Sequence, residues 1–201
     1  MNKPTNIEVN LAGNSPASRD IAFHMHPYTN PAQLASTGPH IIAQGDGVFV
    51  HDEAGNRFYE GMSGLWCTSL GFSEPELVNA AIDQFTKLPF YHSFAGKTAD
   101  PAIELAEMLI AHAPPAASKG RMSKVFFAAS GSEANDTAMK MVWYYNAALG
   151  RPEKRKIISR KKGYHGVTMA AASMTALAYA QDGFGLPLDF VKHTTAPDYY
   201  N

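Results

Sequence analysis

Residues 130–135 read SGSEAN and directly follow the apolar run SKVFFAA. A strand that ends in two small residues, then enters a helix with a carboxylate in its first turn, can cradle an anion. Gly131 has no Cβ, so backbone can approach a ligand closely. The free N–H groups of the first helical turn and the positive end of the helix dipole favour a dianionic phosphate. Ser132 adds a hydroxyl donor. The same residues also suit a plain strand-to-helix turn, with serine as N-cap and Glu133 on the dipole. Local chemistry leaves the two readings level. No G-K-[S/T] follows and no G-x-G-x-x-G is present, which excludes the usual nucleotide fingerprints.

A second stretch, KKGYHG at 161–166, follows the strand-like KIISR. Tyr164, between glycine and histidine, would lay a ring on a flat ligand over the same crevice; an exposed loop tyrosine is also common and by itself means little. A phosphate cradle paired with an aromatic shelf suits a planar phosphorylated heteroaromatic such as pyridoxal phosphate. The HMH pair, His24 and His26, invites a metal reading. Two histidines at that spacing with no nearby acidic or cysteine ligand make a poor site, and no metal is expected.

The elements that must position these loops come in two kinds. HIIAQGDGVFVHDEAGNRFYEG (40–61) has short β-rich runs separated by GDG and EAGN turn signals, which predicts an antiparallel meander. From Ser73 the pattern alternates helix and strand. SEPELVNAAIDQFTKL opens with Ser73 and Glu76 in capping-box spacing and carries a stripe of Leu77, Ala80, Ala81 and Phe85. DPAIELAEMLIAHAP opens on Asp100 and Pro101. KVFFAA predicts a buried strand, Glu133–Leu149 a long helix stopped by Gly150, RKIISR a strand, and GVTMAAASMTA a helix. Such alternation implies an α/β fold with a mostly parallel sheet, whose ligand crevice lies beyond the carboxyl ends of the strands. The boundary between the two kinds is placed near residue 72, giving segments 1–72 and 73–201.

The 201 residues are 45% hydrophobic with a formal net charge of −1. That supplies a real core but no basic surface for nucleic acid or an anionic membrane. Cys67 is the one cysteine, which excludes an intrachain disulfide framework and suits a reducing, cytoplasmic setting. The N-terminal twenty residues lack the apolar stretch of a signal peptide, and no 18-residue apolar run exists.

FFAASGSEANDTAMKMVWYYN followed by KIISRKKGYHGVTMAAASMTA resembles the class III pyridoxal-phosphate aminotransferases, most closely the amine–pyruvate (omega) aminotransferases. The likeness runs from His24 to Asn201 and implies the N-terminal half of a fold-type I, α/β aminotransferase. It implies that Gly131 and Ser132 hold the cofactor phosphate and that Tyr164 stacks on the pyridine ring. It places Tyr28 of HMHPYTN, Leu65 and Trp66 of MSGLWCTSLGF, and Phe94 of YHSFAG at the substrate pocket, Phe94 facing a partner subunit's site in a homodimer. His165 and Glu133 belong to the motifs without an assigned role. Without the resemblance, Trp66 and Phe94 read as core.

The resemblance also implies a Schiff-base lysine and an acidic partner for the pyridine nitrogen, both beyond Asn201. Lys161, Lys162 and Lys192 do not fit that role. The expectation is therefore an enzyme that, complete, moves an amino group from an amine or omega-amino acid to pyruvate or a similar keto acid, and a 201-residue chain that is inactive alone. The alternatives are another class III chemistry, a decarboxylase or aminomutase, or a non-catalytic fragment.

Overall fold

The computed structural model describes residues 11–114 and 122–200. The chain divides into two compact units, Met1–Thr98 and Ala99–Asn201. The change of sequence pattern at residue 72 falls inside the first.

In the first unit, α1 (Pro16–Phe23) and α2 (Pro31–Thr37) each begin with proline behind a side-chain cap. Ser15 Oγ accepts from Ser18 N, and Asn30 Oδ1 from Ala32 N and Gln33 N. These caps satisfy donors that the first helical turn cannot pair internally. The expected meander is present: β1 (Ile42–Asp46), β2 (Phe49–Asp52) and β3 (Arg57–Tyr59) pair antiparallel in sequence order. The EAGN turn is held by Asp52, a buried carboxylate that accepts from Ala54 N at 3.0 Å, Asn56 N at 2.8 Å and Asn56 Nδ2 at 3.0 Å.

The capping box at Ser73 does not form. Helix α4 (Pro75–Lys87) has Glu74 as its N-cap without a side-chain cap. The Ser73 hydroxyl instead donates to Gly45 O at 2.8 Å, 28 residues back. A tertiary partner outcompetes the local one. Beside it, Gly47 N donates to Phe72 O at 3.0 Å and Phe72 N to Gly47 O at 2.8 Å, so the chain after the meander is stitched back onto its first turn. The stripe of α4 is helical as expected, yet its large members Leu77 and Phe85 remain exposed.

In the second unit, α5 (Asp100–His112) starts at the expected Asp-Pro. The buried strand expected for KVFFAA is absent. Residues 122–128 take no regular structure, and Phe126 and Phe127 are exposed. A strand needs a hydrogen-bonded neighbour, and no strand among the described residues pairs with this one. Helix α6 (Gly131–Ala148) starts two residues earlier than expected and ends before Gly150, whose φ of +73° closes it. Strand β4 (Ile157–Arg160) pairs in parallel with β5 (Val191–Thr194), and α7 (Met169–Met174) lies between them in sequence, packed against both strands and against α6. Met139 of α6, Ala171 and Met174 of α7, and Val191 of β5 form the buried cluster, flanked by Ile157, Ala170 and Phe190. The helix–strand alternation read from the sequence is thus realised as an α/β unit around this cluster. Among the described residues no helix is long and apolar enough to cross a membrane.

Candidate functional site

Helix α6 begins with Ser130 as N-cap, its Oγ accepting from Glu133 N at 3.2 Å. The Glu133 carboxylate turns back and accepts from Ala129 N at 2.8 Å. The capped-turn reading of SGSEAN is therefore correct in its geometry, but it does not use up the site. The N–H groups of Gly131 and Ser132 take no partner among the described residues. A Cβ on Gly131 would meet nothing within 4 Å. Two open donors at the positive end of an 18-residue helix, with an unobstructed approach, fit a phosphate monoester.

The tyrosine loop is fastened to this helix start by three side chains of α6, those of Ser132, Asn135 and Asp136. Val167 N donates to Ser132 Oγ at 3.0 Å, and Asn135 Nδ2 donates to His165 O at 2.7 Å. One turn further, Thr168 Oγ1 donates to Asp136 Oδ1 at 2.9 Å. From the other side, buried Thr175 accepts from His165 N at 2.8 Å and donates to Gly166 O at 3.2 Å. Gly166, at φ +126°, lies so close to α6 that a Cβ would sit 2.4 Å from Ser132 Oγ and 3.0 Å from Ser132 Cα. Tyr164 stands on this loop half exposed. The structure therefore brings Gly131, Ser132 and the Tyr164 loop into one neighbourhood.

Sequence reading missed the fasteners: Asn135, Asp136, Gly166, Thr168 and Thr175. All five lie inside the quoted motifs, where a run of small and polar residues was the available signal. Their hydrogen-bond partners are up to 32 positions away, a pairing that no local pattern encodes.

The remaining expected residues lie in the first unit. Tyr28, Leu65, Trp66 and Phe94 are all exposed. They share an unusual backbone. Tyr28 has φ +51°, and Ala95, next to Phe94, has φ +55°. In α3 (Ser63–Trp66), Ser63, Gly64, Leu65 and Trp66 have φ of +50°, +58°, +60° and +67°. With ψ of 43° and 52° at Gly64 and Leu65, α3 is one left-handed helical turn. Each non-glycine residue there carries roughly 1–2 kcal/mol of strain. The turn is closed by Trp66 N to Met62 O at 2.8 Å and Cys67 N to Ser63 O at 2.9 Å, and it is followed by the stitch at Phe72. Strain of this kind persists only where the surroundings impose it, and it concentrates at binding sites. Its effect here is to hold the Trp66 indole outward, 77% exposed.

The histidine pair has an acidic neighbour that linear spacing concealed. Asp20 Oδ1 lies 2.9 Å from His24 Nδ1 and Oδ2 lies 2.6 Å from His26 Nε2. The hydrogen bonds from His26 and then His24 hold the Asp20 carboxyl below the usual carboxylate range. The premise of two histidines without an acidic ligand is corrected.

Comparison with known proteins gives a consistent picture. The family model "Aminotransferase class-III" matches residues 32–201. A protein named probable gamma-aminobutyrate transaminase 2, mitochondrial, from Oryza sativa subsp. indica is 49% identical over 174 residues, covering 87% of this chain and 34% of that protein. Gamma aminobutyrate transaminase 2 of Solanum lycopersicum is 46% identical over 175 residues, covering 87% of this chain and 37% of its own length. Among solved structures, the omega transaminase of Pseudomonas jessenii in complex with PMP superposes with TM-score 0.88 at 52% identity, covering 92% of this chain and 40% of that one. A tryptophan-to-glycine variant of that enzyme, described as engineered for asymmetric synthesis of enantiopure bulky amines, superposes equally well, with TM-score 0.88. The chain thus spans 34% to 37% of the length of these two curated relatives.

Proposed function

This chain belongs to the class III aminotransferases, with the α/β architecture of fold-type I transaminases, and on that footing we propose that the protein transfers an amino group from an amine or omega-amino acid to pyruvate or a similar keto acid, using pyridoxal phosphate. The observation that carries this reading is the junction of α6 with the Tyr164 loop: open N–H groups on Gly131 and Ser132, fastened beside an aromatic ring. The residues fit the cofactor. Gly131 and Ser132 would take its phosphate through their N–H groups, and the Ser132 hydroxyl, which already accepts from Val167 N, retains its proton to donate. Tyr164 would cover one ring face.

When bound, the cofactor supplies the electron sink for the substrate carbanion. The work of this chain is to bind and orient it. By fixing the phosphate and one ring face, Gly131, Ser132 and Tyr164 would hold the reactive atoms in one geometry, which is where positioning contributes to rate. The fasteners matter because a loop displaced by 1 Å loses that alignment. The lysine that moves the proton at the substrate's Cα is proposed to lie outside this segment.

Tyr28, Leu65, Trp66 and Phe94 are proposed as substrate contacts, with Phe94 reaching a partner subunit's site in a homodimer. Support comes from their exposure and their left-handed backbone settings. Of the two tryptophans, Trp143 is committed to packing: its Nε1 donates to Arg155 O at 3.1 Å and its ring meets Phe190 edge-on. Trp66 is therefore the candidate for limiting amine size, and Trp66→Gly should raise kcat/KM for bulky amines relative to small ones. An unchanged ratio removes Trp66 from the pocket.

The proposed setting is the cytoplasm, which an exposed reduced Cys67 suits. Relatives from Oryza sativa are named as mitochondrial, so cell fractionation is the check. The activity itself is tested by incubating the full-length protein with pyridoxal phosphate, an omega-amino acid or amine, and pyruvate. Alanine formation at an enzymatic rate is expected. Carbon dioxide release without alanine would replace aminotransfer by decarboxylation. Sedimentation of the same protein should give twice the subunit mass; an active monomer would exclude the shared site.

A further inference from the structure

The side chains of Asp20, His24 and His26 meet at one point of the first unit, and we propose that they form a zinc-binding site. The sequence builds this from two periodicities. Asp20 and His24 are four residues apart at the end of α1, on one helical face. His24 then leaves the helix in an extended conformation, φ −116° and ψ 123°. Extended chain returns every second side chain to the same side, so His26 joins them. Pro27 follows and restrains His26 to extended backbone.

The geometry is near that of a metal centre. One ligand atom from each residue lies within 4.8 Å of the other two, and the two imidazole rings are 4.3 Å apart at their centroids. A tetrahedral zinc ion with ligand bonds of about 2.0–2.2 Å needs ligand atoms roughly 3.3 Å apart. Ring rotation of the two histidines supplies the adjustment. Asp20 and His26 are largely sheltered while His24 is open to water, which leaves the fourth position to solvent. Two imidazoles and one carboxylate are a donor set suited to zinc rather than to calcium or magnesium. Without metal, the carboxylate bridges both rings by hydrogen bonds. With metal, His24 Nδ1 and His26 Nε2 give up the protons they share with Asp20, to the other ring nitrogen or to water. The site lies two residues before Tyr28 and does not depend on the aminotransferase reading.

The test uses the full-length, tag-free protein with its cofactor bound, stripped of metal by chelator and dialysed. Zinc is titrated by calorimetry, and cobalt(II) by its visible absorption as a reporter of tetrahedral geometry. The expectation is one ion per chain, with affinity falling at least about 10-fold in His24→Gln, His26→Gln and Asp20→Asn. His112→Gln, at the end of α5 in the second unit, should bind zinc as the parent does. Circular dichroism checks folding; His24 is exposed enough that His24→Gln keeps the fold. Equal zinc affinity in the parent and in the Asp20→Asn/His24→Gln/His26→Gln triple variant would overturn the proposal. So would the absence of bound ion at about 0.1 mM free zinc.

Discussion

Gly166 packs against Ser132 so closely that a methyl group on its Cα would lie 2.4 Å from the serine hydroxyl oxygen. A helix start and a loop 34 residues apart in the chain meet here without room for one carbon atom. Gly166→Ala must also hold φ near +126°, a region that an alanine rarely adopts. The substitution should lower stability by more than about 1 kcal/mol and push the Tyr164 loop away from α6. Both effects are read on the full-length protein, as a lower melting temperature and weaker cofactor binding. Retention of both would mean the loop has slack that this packing denies.

The left-handed turn at Ser63–Trp66 makes a second prediction. Gly64 has φ +58° and its absent Cβ faces Thr68 Oγ1 at 3.3 Å. Gly64→Ala should cost about 1–2 kcal/mol. Leu65→Gly removes strain of similar size from an exposed position, offset by roughly 0.5–1 kcal/mol of backbone entropy. Its melting temperature should therefore stay level or rise. Opposite signs for the two variants confirm stored strain; a loss in Leu65→Gly as large as in Gly64→Ala contradicts it.

Asp52 sets a pH dependence. The Asn56 side-chain amide first, then the backbone N–H groups of Asn56 and Ala54 and the nearby His40, hold its carboxyl below the usual carboxylate range. A depressed folded pKa adds stability that is present above the unfolded value, about 3.9. That stability is lost as pH falls through the lower folded value. Melting temperature should thus fall on acidification below about pH 4, and Asp52→Asn should flatten that part of the profile. Parallel profiles would show that the EAGN turn does not depend on the charge.

How much of this was legible depended on the range of the interaction. The meander was read correctly because GDG and EAGN announce their turns locally. The capped turn of SGSEAN was legible because Ser130 and Glu133 lie within four residues, although the helix begins two residues before the expected Glu133. Ser73 was misread for the complementary reason: its capping-box spacing is local, and Gly45 O, 28 residues away, took the hydroxyl. KVFFAA has the composition of a strand, but composition cannot supply the neighbour that pairs with it. Left-handed Leu65 and Trp66 run against their own preferences, so only Gly64 hinted at the turn. Asp20 was overlooked because helical and extended spacing must be combined before it reaches both histidines.

The central claim is that the start of α6 holds the cofactor's phosphate, and Ser132→Ala tests it most directly when two ligands are compared. Pyridoxal phosphate and pyridoxal differ only in that group. In the full-length protein, Ser132→Ala should weaken pyridoxal phosphate by about 1.5–3 kcal/mol, the worth of a hydrogen bond to a charged acceptor. Pyridoxal affinity should change much less. Equal losses for both ligands would trace the effect to the Val167 contact and loop position. Unchanged affinity for pyridoxal phosphate would contradict the account outright.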